Sequence, residues 1–282
     1  MLRQPNLVNL LLVRIYLFTS ILHKRCIVII FFLLLIFQNL SMNKVKKINN
    51  LKVSLYADGA SIQDFIALNK LRYIKGFTTN PSLIKKNKIK NYKEFSKTLL
   101  KKIKNKPISF EVFSDDLLEI ERQVRDIATW GKNVYVKIPV INSKKKFMGP
   151  IIKKLSDNGI KLNITAVYTI EQVKKIYKKL NKKTKSIISI FAGRMADKGL
   201  DPIPIFKRSI SLTKNNKNIE ILWASTREAY NFTQAKQIKC NIITIPPKII
   251  NKIGLFRADA KKLTLDTVKG FLTDSSKSKF RL

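Results

Sequence analysis

A lysine lies in the middle of an apolar stretch of the sequence, VYVKIPV at residues 134–140. The stretch is short, rich in β-branched residues and preceded by the turn-like WGKN, and these features predict a buried strand. Lysine is seldom fully buried without a partner, and burial lowers the pKa of an amine because it disfavours the charged form. An uncharged Lys137 amine could attack a carbonyl carbon and form a Schiff base. A strand lysine more often pairs with a carboxylate than performs chemistry, so Lys137 taken singly does not identify an enzyme.

Polar or charged residues also stand near the ends of most other apolar stretches. Strand ends that become polar where loops begin would explain the outermost of these residues. That explanation fails for Glu111 and Lys137, which have apolar neighbours on both sides. The carboxyl ends of the strands in a parallel barrel converge on one mouth, so we expect the whole set to meet there. The set is Asp58, Thr78, Asn80, Glu111, Lys137, Asn163, Thr165, Ser189, Arg194, Ser225 and Arg227.

Asp58 and Glu111 are the carboxylates of this set, and they could carry the proton transfers of a Schiff-base reaction. The only histidine is His23, and the cysteines are Cys26 and Cys240. His23 and Cys26 fall in an N-terminal apolar region that we interpret as lying outside the fold. The folded part therefore excludes serine–histidine triads, histidine metal sites, zinc ribbons and internal disulfides. We expect no metal site.

Two arginines follow the sixth and seventh predicted strands, in FAGR and ASTR. Arg194 and Arg227, with the Ser225 hydroxyl, could bind a phosphate dianion, and barrels commonly bind phosphate near their last strands. Surface salt bridges would explain either arginine equally well. In GFTTNPSL, the Asn-Pro pair is typical of a strand end, and the segment would also hold Thr78 and Asn80 at the mouth. Spacing favours neither interpretation of that segment.

The elements that must position these residues are visible in the hydrophobic pattern. Strand-like stretches alternate with amphipathic segments such as IEQVKKIYKKL, whose apolar residues recur at i, i+3, i+4 and i+7. This alternation predicts parallel strands in a single-domain α/β protein, a (β/α)8 TIM-type barrel. A doubly wound open sheet is the alternative, but YADGASIQ lacks the expected G-x-G-x-x-G. The strands are predicted at residues 53–58, 74–79, 108–113, 134–139, 161–168, 186–191, 220–226 and 241–246.

The formal net charge of +38 is compatible with nucleic-acid binding. Lysines are nevertheless spread over nearly every predicted helix and loop, and no arginine-rich tract stands out. We therefore expect a solvated lysine-rich surface and no nucleic-acid partner. A basic exterior could still attract anionic substrates.

Residues 1–41 differ in composition from the rest of the chain. CIVIIFFLLLIFQ is strongly apolar and follows the basic HKR, but it is shorter than the roughly 20 residues of a membrane-spanning helix. A membrane anchor, a secretion signal and a stretch upstream of a true start at Met42 are three interpretations. We favour the third, with the anchor second. The prediction is thus an extension at 1–41, a barrel at 42–282, and a cytoplasmic protein, or a membrane-anchored one if the extension is an anchor.

Six motifs, each on a predicted strand, resemble the transaldolase family, specifically its short single-barrel members. The motifs run in order over residues 51–273. The resemblance implies a class I aldolase-type barrel that moves a dihydroxyacetone unit between sugar phosphates, without a metal or organic cofactor. It also implies a homo-oligomer, and the final segment KKLTLDTVKGFLTD would either contact another subunit or close the barrel wall. The motifs are GFTTNPSL, FEVF, VYVKIPV, LNITAVYT, ISIFAGRMADKGLDP and ILWASTREAYNFTQA with IITIPP.

The resemblance also implies a role for each residue of the expected mouth. Lys137 would be the Schiff-base lysine, and Asp58 would take the proton of the donor hydroxyl during carbon–carbon cleavage. Glu111, with Thr165, would handle a catalytic water. Asn80 and Asn163 would bind hydroxyl groups, Thr78 and Ser189 would line the pocket, and Arg194, Ser225 and Arg227 would bind the phosphate. Phe191 would be a further substrate-binding residue at the mouth.

Related barrels act instead as fructose-6-phosphate aldolases, which is the alternative function. In those enzymes the position of Glu111 is typically glutamine and that of Phe191 typically tyrosine, so both residues here match the transaldolase pattern. A glutamate can pass a proton to and from the water, whereas a glutamine only orients it, which favours transfer over cleavage. A non-catalytic anion-binding barrel is a third hypothesis. Gly59 and Phe77 depart from the family pattern without altering an implied catalytic atom.

Overall fold

The computed structural model describes residues 53–253 and 259–278 of the chain. Within these residues, eight parallel strands close into a barrel in the order of the sequence. The predicted (β/α)8 TIM-type barrel is therefore confirmed. The predicted extension at 1–41, and residues 42–52 of the predicted barrel domain, lie outside the described residues. The strands are β1 (Ser54–Asp58), β2 (Ile74–Thr78), β3 (Ile108–Glu111), β4 (Val134–Pro139), β5 (Leu162–Val167), β6 (Ser186–Ile190), β7 (Ile219–Trp223) and β8 (Ile242–Ile245).

Helices alternate with the strands along the described chain, and their apolar faces join the hydrophobic core. Loops between strands carry one helix or two. The helices are α1 (Ile62–Asn69), α2 (Pro81–Lys86), α3 (Tyr92–Lys102), α4 (Leu117–Ala128), α5 (Gly149–Asp157), α6 (Ile170–Lys179), α7 (Ala192–Ala196), α8 (Ile203–Thr213), α9 (Tyr230–Gln237), α10 (Pro247–Ile253) and α11 (Ala260–Ser278).

Local sequence explains where these helices begin, and α6 is the clearest case. The Thr169 hydroxyl accepts a hydrogen bond from the Gln172 N–H, and the Gln172 side chain accepts one from the Thr169 N–H. This capping box satisfies backbone donors that the start of a helix leaves unpaired. Ile170, Val173 and Ile176 are buried, as the predicted amphipathic pattern requires.

Two strands end two or more residues earlier than the sequence predicts. β3 ends at Glu111 rather than at residue 113, and β7 ends at Trp223 rather than at residue 226. Ser225 has a φ of 63°, in the left-handed region, so the chain cannot continue as a strand there. The turn directs the chain after β7 towards the mouth of the barrel.

Two tyrosines fill the barrel interior on the amino-terminal side of the mouth residues. Tyr56 on β1 and Tyr135 on β4 pack with Ile187 and Leu222 in one buried cluster. A Cβ atom on Gly76 would lie 2.5 Å from the Tyr56 ring, so glycine at this strand position makes room for the ring. Burial raises the pKa of Tyr135 to about 12, so its phenol stays neutral. The mouth residues thus lie next to a largely apolar layer of side chains inside the barrel.

The helix α11 has no buried residue. Its apolar side chains are more than half exposed, so α11 does not close the wall of its own barrel. The other prediction for this segment, a contact between subunits, stays a prediction. In the described ranges, no helix is both long and apolar enough to cross a membrane. The exposed side chains of α11 are Leu263, Leu265, Val268, Phe271 and Leu272.

Candidate active site

A pocket of about 470 Å³ opens at the carboxyl ends of the strands. Every residue that the sequence predicts for the mouth lines this pocket, as barrel geometry requires of polar strand ends. Their catalytic and binding roles stay predictions. The residues are Asp58, Thr78, Asn80, Glu111, Lys137, Asn163, Thr165, Ser189, Phe191, Arg194, Ser225 and Arg227.

Lys137 lies on β4 with its side chain in the pocket, and the residue is only 6% exposed. Its Nζ lies 2.9 Å from Glu111 Oε2 and donates a hydrogen bond of 2.8 Å to the Thr79 carbonyl oxygen. The strand register causes this pairing, because Glu111 on β3 lies directly beside Lys137. Nζ and the Glu111 carboxylate thus lie at ion-pair distance, and the uncharged amine expected of a Schiff-base lysine stays a prediction.

Asp58 lies at the end of β1 and takes part in a chain of hydrogen bonds. Its Oδ1 accepts a hydrogen bond of 2.7 Å from the Thr78 hydroxyl, whose oxygen lies 2.6 Å from Thr244 Oγ1. Removal from water raises the pKa of the Asp58 carboxyl above its ordinary value of 3.8, and the Glu111 charge acts in the same direction. The Lys137 ammonium and the Thr78 hydroxyl oppose that rise. A carboxyl in this setting is suited to exchange protons with a substrate hydroxyl.

Thr244 is not among the residues predicted for the mouth, although the sequence of the eighth strand indicates it. The eighth predicted strand, NIITIP, contains one hydroxyl residue, and barrel alternation directs that side chain inwards. Because the Thr78 hydroxyl donates its hydrogen to Asp58 Oδ1, the Thr244 hydroxyl is the donor in its hydrogen bond with Thr78. Thr244 thereby fixes the hydroxyl that orients the carboxylate.

Asn163 on β5 makes two hydrogen bonds inside the protein. Its Nδ2 donates to Ser109 Oγ over 3.1 Å, and its Oδ1 accepts from the Ser189 hydroxyl over 2.6 Å. These bonds hold the amide in place and leave one N–H of Nδ2 available for a substrate hydroxyl. Two residues further along β5, the buried Thr165 Oγ1 has no hydrogen-bond partner within the described part of the chain. A buried hydroxyl in a polar pocket commonly binds water, which fits the water-handling role predicted for Thr165.

Tyr92 at the start of α3 holds the end of β3. Its hydroxyl oxygen accepts a hydrogen bond of 2.9 Å from the Glu111 N–H, and the hydroxyl lies 3.3 Å from the Glu111 carbonyl oxygen. Burial raises the Tyr92 pKa, so the phenol remains a neutral donor and acceptor. The backbone of Glu111 is thus fixed while its carboxylate faces Lys137. No pattern in the sequence distinguishes Tyr92 from an ordinary helix residue.

The two arginines at the far strands differ in their surroundings. The guanidinium carbon of Arg194 lies 5.4 Å from the centroid of the Phe191 ring, a cation–π arrangement. Arg227 makes a bidentate ion pair with Asp197, with Nε 3.0 Å and Nη2 2.5 Å from Oδ2. The hydrogen bond from Arg227 holds the pKa of Asp197 below its usual range. Asp197 was not predicted, and it both orients Arg227 and offsets part of its charge.

Replacing Gly193 with alanine is expected to destabilise the fold by about 3 kcal/mol, as overpacking of a close contact does. A Cβ atom there would lie 1.6 Å from the Ser225 carbonyl oxygen, and a backbone atom cannot move aside as a side chain can. Urea denaturation measures the change in the free energy of unfolding. Gly270→Ala is the matched control, because its Cβ would meet nothing within 4 Å. Equal stability of the two variants would refute the close contact.

The amino-acid sequence matches a known family over nearly all of the described barrel. The profile described as Transaldolase/Fructose-6-phosphate aldolase matches residues 55–281. A protein of Dehalococcoides mccartyi named "Probable transaldolase" is 30% identical over 197 residues, which cover 70% of this chain and 88% of that one. A protein of Sulfurihydrogenibium sp. with the same name is 32% identical over 207 residues, covering 72% and 89%.

A third relative, from Bdellovibrio bacteriovorus, matches along almost its whole length. Also named "Probable transaldolase", it is 30% identical over 228 residues, which cover 80% of this chain and 99% of that one. The closed barrel, the pocket at its mouth and these matches agree with one another. The chain belongs to the transaldolase/fructose-6-phosphate aldolase family.

Proposed function

We propose that this protein is a transaldolase that transfers a dihydroxyacetone unit between sugar phosphates through a Schiff base on Lys137. The observation that carries the proposal is the ion pair of Lys137 with Glu111, 2.9 Å apart, inside a pocket that also holds Asp58. In this arrangement Glu111 can accept a proton from the Lys137 amine, and Asp58 can accept one from the substrate. The donors would be fructose 6-phosphate or sedoheptulose 7-phosphate, and the acceptors aldose phosphates.

Substrate binding would begin at the two arginines. The phosphate would lie against Arg194, Ser225 and Arg227, since guanidinium groups and a hydroxyl match its oxygens. Arg227 would share its charge between the phosphate and Asp197. Asn80 and Asn163 would then orient the hydroxyl groups of the sugar, and positioning of this kind supplies much of an enzymatic rate.

Formation of the Schiff base requires that the ammonium first lose a proton. Glu111 is the nearest acceptor, so its carboxylate would take the proton from Lys137 as the sugar excludes water. The free amine adds to the ketone carbon, and the resulting carbinolamine loses its hydroxyl as water after Glu111 returns the proton. Thr165, with its unpaired buried hydroxyl, would hold that water. The product is an iminium, which accepts electrons from the neighbouring bond.

Cleavage and transfer then proceed through Asp58. Its carboxylate takes the proton from the hydroxyl on the carbon beyond the scissile bond, the carbon–carbon bond breaks, and the electron pair moves into the iminium to give an enamine. The shortened aldose phosphate leaves. The enamine carbon then attacks the aldehyde of a second aldose phosphate, Asp58 returns its proton to the new hydroxyl, and hydrolysis of the iminium frees the product.

Cleavage without transfer is the competing function, and one assay separates the two. With fructose 6-phosphate as donor, release of glyceraldehyde 3-phosphate is expected to rise by roughly tenfold or more when erythrose 4-phosphate is added. The physical reason is that the enamine awaits an acceptor. Rapid release of free dihydroxyacetone at the same rate without the acceptor would instead establish an aldolase. Release of neither product from folded protein would support the non-catalytic hypothesis.

A cytoplasmic location and a homo-oligomeric state also stay proposals. The first depends on whether residues 1–41 are present in the native protein. The N-terminal peptide of that protein, identified by mass spectrometry, answers this question directly.

A further inference from the structure

A second groove lies between α3, α4 and the turn that precedes β4. Its volume is about 570 Å³, and it shares no lining residue with the pocket at the mouth. The groove reaches the turn Gly131–Asn133, which leads into the amino end of β4, whereas the mouth lies at the carboxyl ends of the strands. Nearly half of its lining residues are lysines, namely Lys93, Lys97, Lys101, Lys104 and Lys132.

Most of this positive charge is not neutralised by the protein. The lining contains one carboxylate, Asp126, which accepts hydrogen bonds of 2.9 Å and 3.0 Å from Lys93 Nζ. The hydrogen bond from Lys93 holds the pKa of Asp126 below its usual range, so the negative charge of this carboxylate offsets the charge of Lys93. The other four lysines make no ion pair with any carboxylate of residues 53–253 and 259–278.

The arrangement concentrates like charges that repel one another. Lys93, Lys97 and Lys101 follow one another at four-residue spacing, which places them on one face of α3, and like charges at that spacing destabilise a helix. Lys104 and Lys132 add charges from two loops that border the same groove. An anion with several adjacent negative groups would neutralise these ammonium groups together.

The groove also has a rigid aromatic wall. Trp130 lines it and packs edge-on against Tyr92 and Phe110, with ring centroids 5.9 Å apart in both pairs. Lys93 Nζ lies 5.9 Å from the centroid of the same indole ring. A planar ligand group could pack on an indole held in this way.

We propose that this groove binds a small molecule with a chain of adjacent phosphate groups. Its volume lies within the range of small-molecule sites. Ammonium groups are compact charges that commonly bind phosphate, and four unneutralised lysines match the charge of a triphosphate chain. The chain could be free or part of a nucleoside triphosphate. This inference does not rest on the catalytic proposal, because the two pockets have separate linings.

The fluorescence of Trp130 can report binding in this groove. Of its two tryptophans, Trp130 borders the groove, whereas Trp223 is 1% exposed in the core. Titration with inorganic tripolyphosphate at about 0.15 M ionic strength, where long-range attraction is screened, is expected to change the fluorescence saturably below roughly 1 mM. A parallel calorimetric titration with ATP compares a free phosphate chain with one that is part of a nucleotide. Equal affinity would show that the protein binds the phosphate chain alone, and tighter binding of ATP would show that the base contributes.

Two charge-matched variants decide whether the groove is responsible. Lys97→Gln/Lys101→Gln/Lys132→Gln removes three lysines from the groove. Lys174→Gln/Lys175→Gln/Lys178→Gln removes three exposed lysines from α6, which does not border it. All six positions are exposed, so both variants should fold.

We expect the first variant to bind tripolyphosphate at least tenfold more weakly and the second to bind it as the original protein does. Equal weakening in both variants would show that only overall charge matters, and an unsaturable titration would show that there is no site. Either result overturns the proposal. Much tighter binding of an RNA oligonucleotide, lost in the groove variant alone, would also overturn it by assigning the groove to nucleic acid.

Discussion

Lys137→Met is expected to lower the transfer rate by roughly 10⁴-fold or more, as loss of a covalent nucleophile does. Methionine retains the length and apolar character of the lysine stem but has no amine to attack the ketone carbon. The change leaves the Glu111 carboxylate without its partner, which destabilises a buried site. Circular dichroism must therefore show that the variant is folded before its activity is interpreted.

Borohydride trapping tests the same residue by an independent route. Reduction in the presence of fructose 6-phosphate should fix the three-carbon or six-carbon unit on Lys137 of the original protein, where peptide mapping would find it, and should label nothing in the variant. Lys75→Met is the matched control, because Lys75 is also a strand lysine but is exposed on β2. Trapping on another lysine, or substantial activity in folded Lys137→Met protein, would contradict the proposed mechanism.

The sequence predicts the barrel and the membership of its mouth because both follow from simple geometry. Alternating strand and helix patterns leave few topologies, and a closed parallel barrel brings all carboxyl strand ends together. Glu111 and Lys137 could therefore be placed in one pocket from their positions in two apolar stretches. Their direct pairing depends on the register between β3 and β4, which the hydrophobic pattern does not specify.

The residues that support the site were harder to predict. Tyr92 and Asp197 reach it from a helix and a loop, and their contacts depend on how those segments pack rather than on strand position. Ser225 was predicted as part of a strand, but its backbone is left-handed and its carbonyl group lies close to Gly193. Tertiary contacts of this kind override local patterns, so they become visible only in the folded chain.

Asp58→Asn is expected to lower the transfer rate by roughly 10²- to 10⁴-fold, the usual contribution of a positioned general base. Asparagine keeps the shape of the side chain and can still accept the hydrogen bond from Thr78, but it cannot take the proton of the substrate hydroxyl. Lys137 and Glu111 are unchanged, so the imine should still form. Borohydride should therefore trap the intact ketose on Lys137 while the carbon–carbon bond remains unbroken. Loss of trapping together with activity would show that Asp58 acts in imine formation instead.

The pH dependence of the original enzyme gives the same carboxyl a second test. Asp58 must be ionised to act as a base, and its raised pKa means that protonation begins above the ordinary value of 3.8. The rate should therefore fall as the pH decreases. This acid limb of the pH–rate profile should lie at a higher pH than the limb that a solvent-exposed carboxyl would give. Thr78→Val removes the hydrogen bond that lowers the pKa of Asp58, so it should move the limb to still higher pH. A limb that stays in place in Thr78→Val would assign the titration to another group, because no other change in that variant alters the charge of the pocket.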